Sequence, residues 1–240
     1  MVKLTKEMRQ NTFNRFPKYN QKDPELDLFL DTFDEAPGRV LEIGSGTTPL
    51  GSLLSDYGFN VTSVDLKPRD FPDHRVNHIV ADWCDMHPSF WSNYRGYFDY
   101  AVSVSALEHF GLGAYKEEKG PDYYDVFAVR YIWDALKRGG AAYIEVPFGG
   151  RHVVVSPHWR VYDWESLSAR ILQQFTLSEV LFRVVQECRI EGLEGSLKIG
   201  DGFSPLFLLN QNGAPCFGVS LRLVKHNCGV VVDPMKKGKQ

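Results

Sequence analysis

The sequence predicts an α/β protein built on a doubly wound, mostly parallel sheet, and three observations carry that expectation. Short apolar runs alternate with helix-length segments from Gly38 to Val146, the pattern of right-handed βαβ crossovers with helices covering both sheet faces. The first run, Val40–Ile43, passes straight into a glycine turn, Gly44-Ser45-Gly46. The second, Val61–Val64, ends on the carboxylate of Asp65.

Taken in order, residues 1–36 are polar and punctuated by Pro17 and Pro24, with a helical stretch at Glu25–Phe33. They are expected to form a leader or cap that packs on the main domain. Strands are expected at Val40–Ile43, Val61–Val64, His78–Val80, Tyr100–Val104 and Ala141–Val146, each a short run rich in apolar residues. Helices are expected at Pro49–Tyr57, Pro88–Tyr94 and Tyr123–Lys137. Pro49 and Pro88 suit first-turn positions, where the missing N–H is not needed, and Gly139-Gly140 suits a helix stop. Past Pro147 the rhythm weakens. Trp164–Gln174 reads as a helix, and Leu181–Cys188 with Phe217–Val224 alternate as a terminal hairpin around an irregular insertion, 191–215. The expected division is a leader at 1–36, a main domain at 37–232 with loops at 110–124 and 147–162, and a flexible tail at 233–240.

Composition narrows the class. The 240 residues are 43% hydrophobic and 24% charged, ordinary for a globular protein, and the net charge of −3 argues against a broad phosphate-binding face. The basic tail, Lys236-Lys237-Gly238-Lys239, is expected to be solvated. No secretory h-region opens the chain and no apolar run reaches membrane-spanning length. Cys84, Cys188, Cys216 and Cys228 form no C-x-x-C pair or zinc framework and read as reduced thiols of a cytoplasmic protein. Nucleic acid and membrane are therefore not expected partners, and a homo-oligomer is left open.

A strand entering a glycine turn, followed by a strand ending in an acid, is how an α/β sheet holds an adenosine. The glycines admit the ligand to the backbone, and the acid accepts from ribose hydroxyls. The dinucleotide fingerprint asks for a third glycine where this chain has Pro49, which weakens a nicotinamide reading. In sequence order, the Glu42-x-Gly44-x-Gly46 turn, Asp65, Val80-Ala81-Asp82-Trp83, Phe98–Ser105 and Leu136-Lys137-Arg138-Gly139-Gly140 together resemble the class I S-adenosylmethionine-dependent methyltransferases. The resemblance spans residues 36–148. It implies a Rossmann-like, seven-stranded mixed sheet, mostly parallel, with an antiparallel final hairpin, and S-adenosyl-L-methionine as cofactor. On this resemblance Gly44, Ser45 and Gly46 pass under the methionine portion, Glu42 orients that loop or the amino group, and Asp65 takes both ribose hydroxyls. Asp82 accepts from the adenine amino group, Trp83 or Leu66 lies against the ring, and Ser105 joins the cofactor set. The alternative for Asp82 is a helix N-cap.

The C-terminal end of the fourth strand is the edge where open α/β sheets bind ligands. Here stands Ser105-Ala106-Leu107-Glu108-His109-Phe110, and a Glu-His pair at this point resembles small-molecule methyltransferases. His109 is the expected base, with Glu108 orienting it, acting directly or ligating a metal. Some quinone-ring O-methyltransferases carry a further acid three residues earlier; Ser105 stands there, and no metal is expected. A loop-packing role for the pair is the competing reading. Gly111–Tyr124, including Tyr115, is the expected flap, and the loop containing Arg151, His152, His158 and Arg160 is the expected acceptor wall, with its arginines suited to a carboxylate or phosphate. Tyr162 is expected to support that loop and Asp163 to cap the next helix. The leading expectation is an enzyme O-methylating a small-molecule acceptor, a sugar or natural-product intermediate. Its rivals are a nucleic-acid or protein methyltransferase, a cofactor-binding module without turnover, and an NAD-dependent oxidoreductase.

Overall fold

The computed structural model describes residues 1–16, 24–46, 48–68, 73–115, 119–155, 158–184 and 217–225. At the N-terminus β1 (Val2–Lys3) pairs antiparallel with β2 (Asp34–Glu35), beside α1 (Lys6–Phe13) and α2 (Pro24–Thr32). Thr5 caps α1 by accepting the Met8 amide at 3.2 Å. Leu26, Leu28, Phe29, Leu30 and Phe33 are buried to 1% exposure or less, so this segment forms part of the layer that covers one face of the main sheet.

That sheet takes β3 (Arg39–Ile43), β4 (Asn60–Asp65), β5 (Val76–Val80), β6 (Phe98–Val104), β7 (Leu136–Phe148), β10 (Thr176–Val184) and β11 (Phe217–Val224), in the order β10-β11-β7-β6-β3-β4-β5. β11 alone runs antiparallel to its neighbours. The crossovers are α3 (Leu50–Asp56), α4 (Pro88–Tyr94) and α5 (Tyr124–Ala135), with Pro88 in the first turn of α4 as expected. Alternation along the strands divides the core in two. Val40, Val61, Val102 and Tyr143 face α1, α2 and α3, while Leu41, Val64, Ala101 and Ile144 face α4, α5 and α6 (Trp164–Arg170). Strands buried on both faces need continuous apolar runs, which is why the sequence shows them.

Three expectations shift. The helix expected over Tyr123–Lys137 ends at Ala135, and Leu136 already belongs to β7. Its stop is not the glycine pair. The Lys225 ammonium donates to the Trp133 and Leu136 carbonyls, both at 2.6 Å, and caps the helix end from β11. Gly139-Gly140 lie within β7, where Gly139 (φ 74°) donates to the Lys225 carbonyl. The penultimate strand begins at Thr176 rather than Leu181; residues 185–188, the insertion 191–215, the tail and the cysteines other than Cys84 lie outside the described residues. Finally, part of the expected 147–162 loop is a hairpin, β8 (Val153–Val155) with β9 (Trp159–Val161); the β-branched run Val153-Val154-Val155 was its signal. Among the described residues no helix is long and apolar enough to cross a membrane.

Candidate active site

The glycine turn is held from beneath. Glu42, 2% exposed on β3, accepts the Gly51 amide at 3.1 Å, tying the strand to the first turn of α3. Gly44 donates to the Val64 carbonyl at 2.9 Å with φ 70°, and a Cβ there would overlap that of Ala106. Only glycine permits this approach of the turn to the end of β6. Asp65 accepts the Gly46 amide at 2.8 Å on one oxygen and the Lys67 amide at 2.9 Å on the other. A carboxylate offers about four acceptor positions, so Asp65 joins two loops and keeps acceptor capacity.

These loops line a cavity of about 400 Å³, a size typical of small-molecule sites. Gly44, Ser45, Gly46, Asp65, Leu66, Asp82, Trp83 and Ser105 all reach it, as do His109 and Tyr115. Asp82 accepts the Cys84 amide at 2.8 Å, so it also N-caps the short 3-10 turn Trp83–Asp85 and retains a second oxygen. Trp83 touches the cavity but is only 2% exposed; its indole N–H donates to the Ala128 carbonyl at 3.0 Å, which anchors it in the core. Lys67, Cys84 and Tyr124 also line the cavity. Lys67 carried no sequence signal, because its place follows only from the Asp65 loop folding over the mouth. Burial pushes the Cys84 thiol far above its ordinary range.

At the end of β6 the Ser105 hydroxyl donates to Glu108 at 2.8 Å. Glu108 is 1% exposed and stands behind the cavity wall, not on it. His109 brings Nε2 to 3.6 Å from Glu108 Oε1, while its Nδ1 contacts the His158 carbonyl. A carbonyl only accepts, so Nδ1 carries a proton, and in the neutral ring the lone pair then falls on Nε2. Tyr115 meets the imidazole edge-on at 5.2 Å, and the Lys67 ammonium lies 4.9 Å from the Tyr115 ring centroid.

Burial raises the Glu108 carboxyl above its ordinary value, opposed by the neighbouring His109 and the Ser105 hydroxyl. A carboxyl raised in the folded state stabilises the fold below its unfolded pKa, and that contribution is lost as pH rises through the folded value. Glu108→Gln is therefore expected to raise Tm relative to wild type above neutrality, with the difference shrinking as pH falls toward the ordinary glutamate range. A melting difference independent of pH would contradict a raised Glu108.

The acceptor-wall arginine is corrected. Arg160 is fully buried and does not line the cavity. It donates to the carbonyls of Phe110 at 2.7 Å, Asp122 at 3.0 Å and Glu108 at 3.4 Å, beside the carboxylates of Asp122 and Asp125. Asp125 also accepts from the Tyr162 hydroxyl and from Arg170. Arg160 therefore fastens the flap to β9, and being fully buried and off the cavity it has no fork to offer an acceptor. Removing one partner of such a buried cluster costs about 3–5 kcal/mol, so Arg160→Met is expected to lower urea-denaturation stability by that order; a loss below about 0.5 kcal/mol, the scale of surface changes, would refute the staple. Arg151 is exposed, and His152 packs on Tyr162 at 5.8 Å; neither lines the cavity. His158 contributes its carbonyl rather than its ring. Asp163 caps α6 in a reciprocal box with Ser166, as expected. Among the described residues no cluster of three His, Cys, Asp or Glu could hold a metal ion.

A family model described as "Caenorhabditis protein of unknown function, DUF268" matches residues 57–176, half of the chain. No curated protein matches by sequence. Solved structures share the fold at low identity. A 1,6-didemethyltoxoflavin-N1-methyltransferase from Burkholderia thailandensis, with bound 1,6-didemethyltoxoflavin and S-adenosylhomocysteine, is 16% identical over 92% of this chain and 85% of its own, with TM-score 0.54. An S-adenosylmethionine-dependent methyltransferase from Mesorhizobium loti is 13% identical, covering 85% of this chain and 99% of its own, TM-score 0.53. A TehB-like methyltransferase from Corynebacterium glutamicum is 15% identical, covering 92% and 100%, TM-score 0.51. The fold is that of the class I S-adenosylmethionine-dependent methyltransferases.

Proposed function

The chain belongs to the DUF268 family, and we propose that it is an S-adenosylmethionine-dependent methyltransferase acting on an oxygen of a small polar metabolite, a sugar or natural-product intermediate. The observation that carries the reading is one cavity lined by Asp65, the glycine turn and His109 together. The donor set fits the cofactor. Gly44 leaves no room for a side chain, the space over Gly46 is open, and Asp65 and Asp82 retain acceptor capacity. Asp65 would hold the ribose hydroxyls, Asp82 the adenine amino group, and the Gly44–Gly46 backbone the methionine portion. When bound, the cofactor supplies an electrophilic methyl group on a sulfonium.

What the chain itself must do is align an oxygen and remove its proton. His109 suits that task, because the His158 carbonyl holds the Nδ1 proton and leaves Nε2 as the acceptor. Glu108, 3.6 Å from Nε2, would stabilise the imidazolium as it forms. Tyr115, Phe110 and Tyr124 also line the cavity and would exclude water around the acceptor. Incubation with methyl-labelled cofactor and a panel of hydroxylated and amino acceptors, with products read by mass spectrometry, tests the proposal. Label on oxygen is expected. Transfer to nitrogen alone would remove the oxygen assignment, and cofactor binding with no transfer across the panel would favour a module without turnover.

A further inference from the structure

A relay of hydrogen bonds runs from β7, through Ser105 on the cavity wall and Glu108 behind it, toward the imidazole of His109. It begins at Glu145, 1% exposed and opposite Val104 in the β6–β7 ladder. Its Oε2 accepts the Ser105 amide at 3.1 Å, and its main-chain carbonyl accepts the same amide at 3.2 Å. Among the described residues Ser105 is the one non-glycine position with positive φ, 47°. For a residue with a side chain that conformation is strained and persists only where its surroundings over-determine it. In it, the hydroxyl points to Glu108 and donates at 2.8 Å; Glu108 Oε1 then stands 3.6 Å from His109 Nε2.

We infer that Glu145 and Ser105 are positioning residues: Glu145 holds Ser105 in its left-handed conformation, and the Ser105 hydroxyl fixes the Glu108 carboxyl beside His109, which sets how readily that imidazole takes a proton. The consequence for turnover rests on the reading of His109 as base; the arrangement itself does not. No sequence motif pointed to Glu145, since a glutamate in an apolar run reads as an interruption. Ser105 occupies the position where metal-dependent relatives were expected to place an acid, and a hydroxyl there serves a different purpose: it donates to the carboxyl instead of repelling it. The other polar and charged groups around the pair are Arg160 on β9, whose Nη1 is 3.4 Å from the Glu108 carbonyl, Asp125 and Tyr162 beyond Arg160, the His158 carbonyl on Nδ1, and Tyr115 with Lys67 above it. None of these bonds runs to the Ser105 hydroxyl, so the serine arm can be altered separately.

The test is the titration of His109 in the full chain without cofactor or acceptor, followed by NMR of isotope-labelled imidazoles and assigned by comparison with His109→Asn. Ser105→Gly removes the hydroxyl and also relieves the positive φ, so the variant should fold. Without that donor the Glu108 carboxylate is less stable, the imidazolium loses its counter-charge, and the His109 midpoint should fall relative to wild type. Glu145→Leu should do the same, while Glu145→Gln keeps an oxygen for the Ser105 amide and should stay close to wild type. An unmoved midpoint in folded Ser105→Gly overturns the proposal, as does a Glu145→Gln shift as large as that of Ser105→Gly. If Glu145→Leu does not fold, those two variants decide. Because the readout is the free protein's own titration, its failure leaves the methyl-transfer reading standing, and an acceptor panel without product leaves this one standing.

Discussion

Asp65→Ala is expected to cripple binding of S-adenosylmethionine and S-adenosylhomocysteine. A hydrogen bond to a charged group contributes about 1.5–3 kcal/mol, which is roughly 10–150-fold in affinity for each ribose hydrogen bond removed. The geometry adds to this. Asp65 also accepts the Gly46 and Lys67 amides, so its removal loosens the turn under the methionine portion and the loop over the mouth together. Calorimetry with S-adenosylhomocysteine measures the first effect, and a modest fall in Tm of the ligand-free protein reports the second. Unchanged affinity in the variant would defeat the assignment of Asp65. Tighter binding of a reduced nicotinamide dinucleotide than of either sulfur cofactor would defeat the cofactor reading altogether.

His109→Ala is expected to lower turnover by about 10²–10⁴-fold, the usual scale of general-base assistance, with cofactor affinity retained. The separation is the informative part. His109 lines the same cavity as Asp65, but its bonds run to the His158 carbonyl and toward Glu108 rather than to the glycine turn. Loss of kcat with an unchanged dissociation constant would place His109 in the chemical step, and the limb of the pH–rate profile belonging to the Glu108–His109 pair should vanish with it. Near-wild-type rates across pH would make the pair a packing device for the flap. In that case Tyr115 and Lys67, which line the same cavity, would be the next groups to vary.

How much was legible depends on the range over which each feature is decided. The βα rhythm and the glycine turn could be read because each is a local pattern with one purpose: buried strands need apolar runs, a close backbone approach needs Gly44, and a helix start accepts Pro88. Arg151, His152, His158 and Arg160 were drawn together as an acceptor wall because polar and aromatic residues crowd that loop. The fold then separated them. Arg160 turned inward to three carbonyls, His158 offered its main chain, and Arg151 and His152 stand off the cavity. Which way a side chain turns depends on partners distant in sequence, such as Asp122 and Asp125 for Arg160, and no window of residues contains them.

The same division holds for the chain as a whole. By itself the sequence determined the class of fold and the succession of strands β3 to β7 along the chain, since propensity, burial period and turn chemistry act over a few residues. Only the tertiary structure decided that Lys225 rather than two glycines stops α5, that β8 and β9 close as a hairpin, and that Glu145 supports Ser105 behind His109. The physical reason is common to all three: each depends on a hydrogen bond or strand pairing whose partner is brought close only when the sheet assembles, and its energy has no counterpart in local preference.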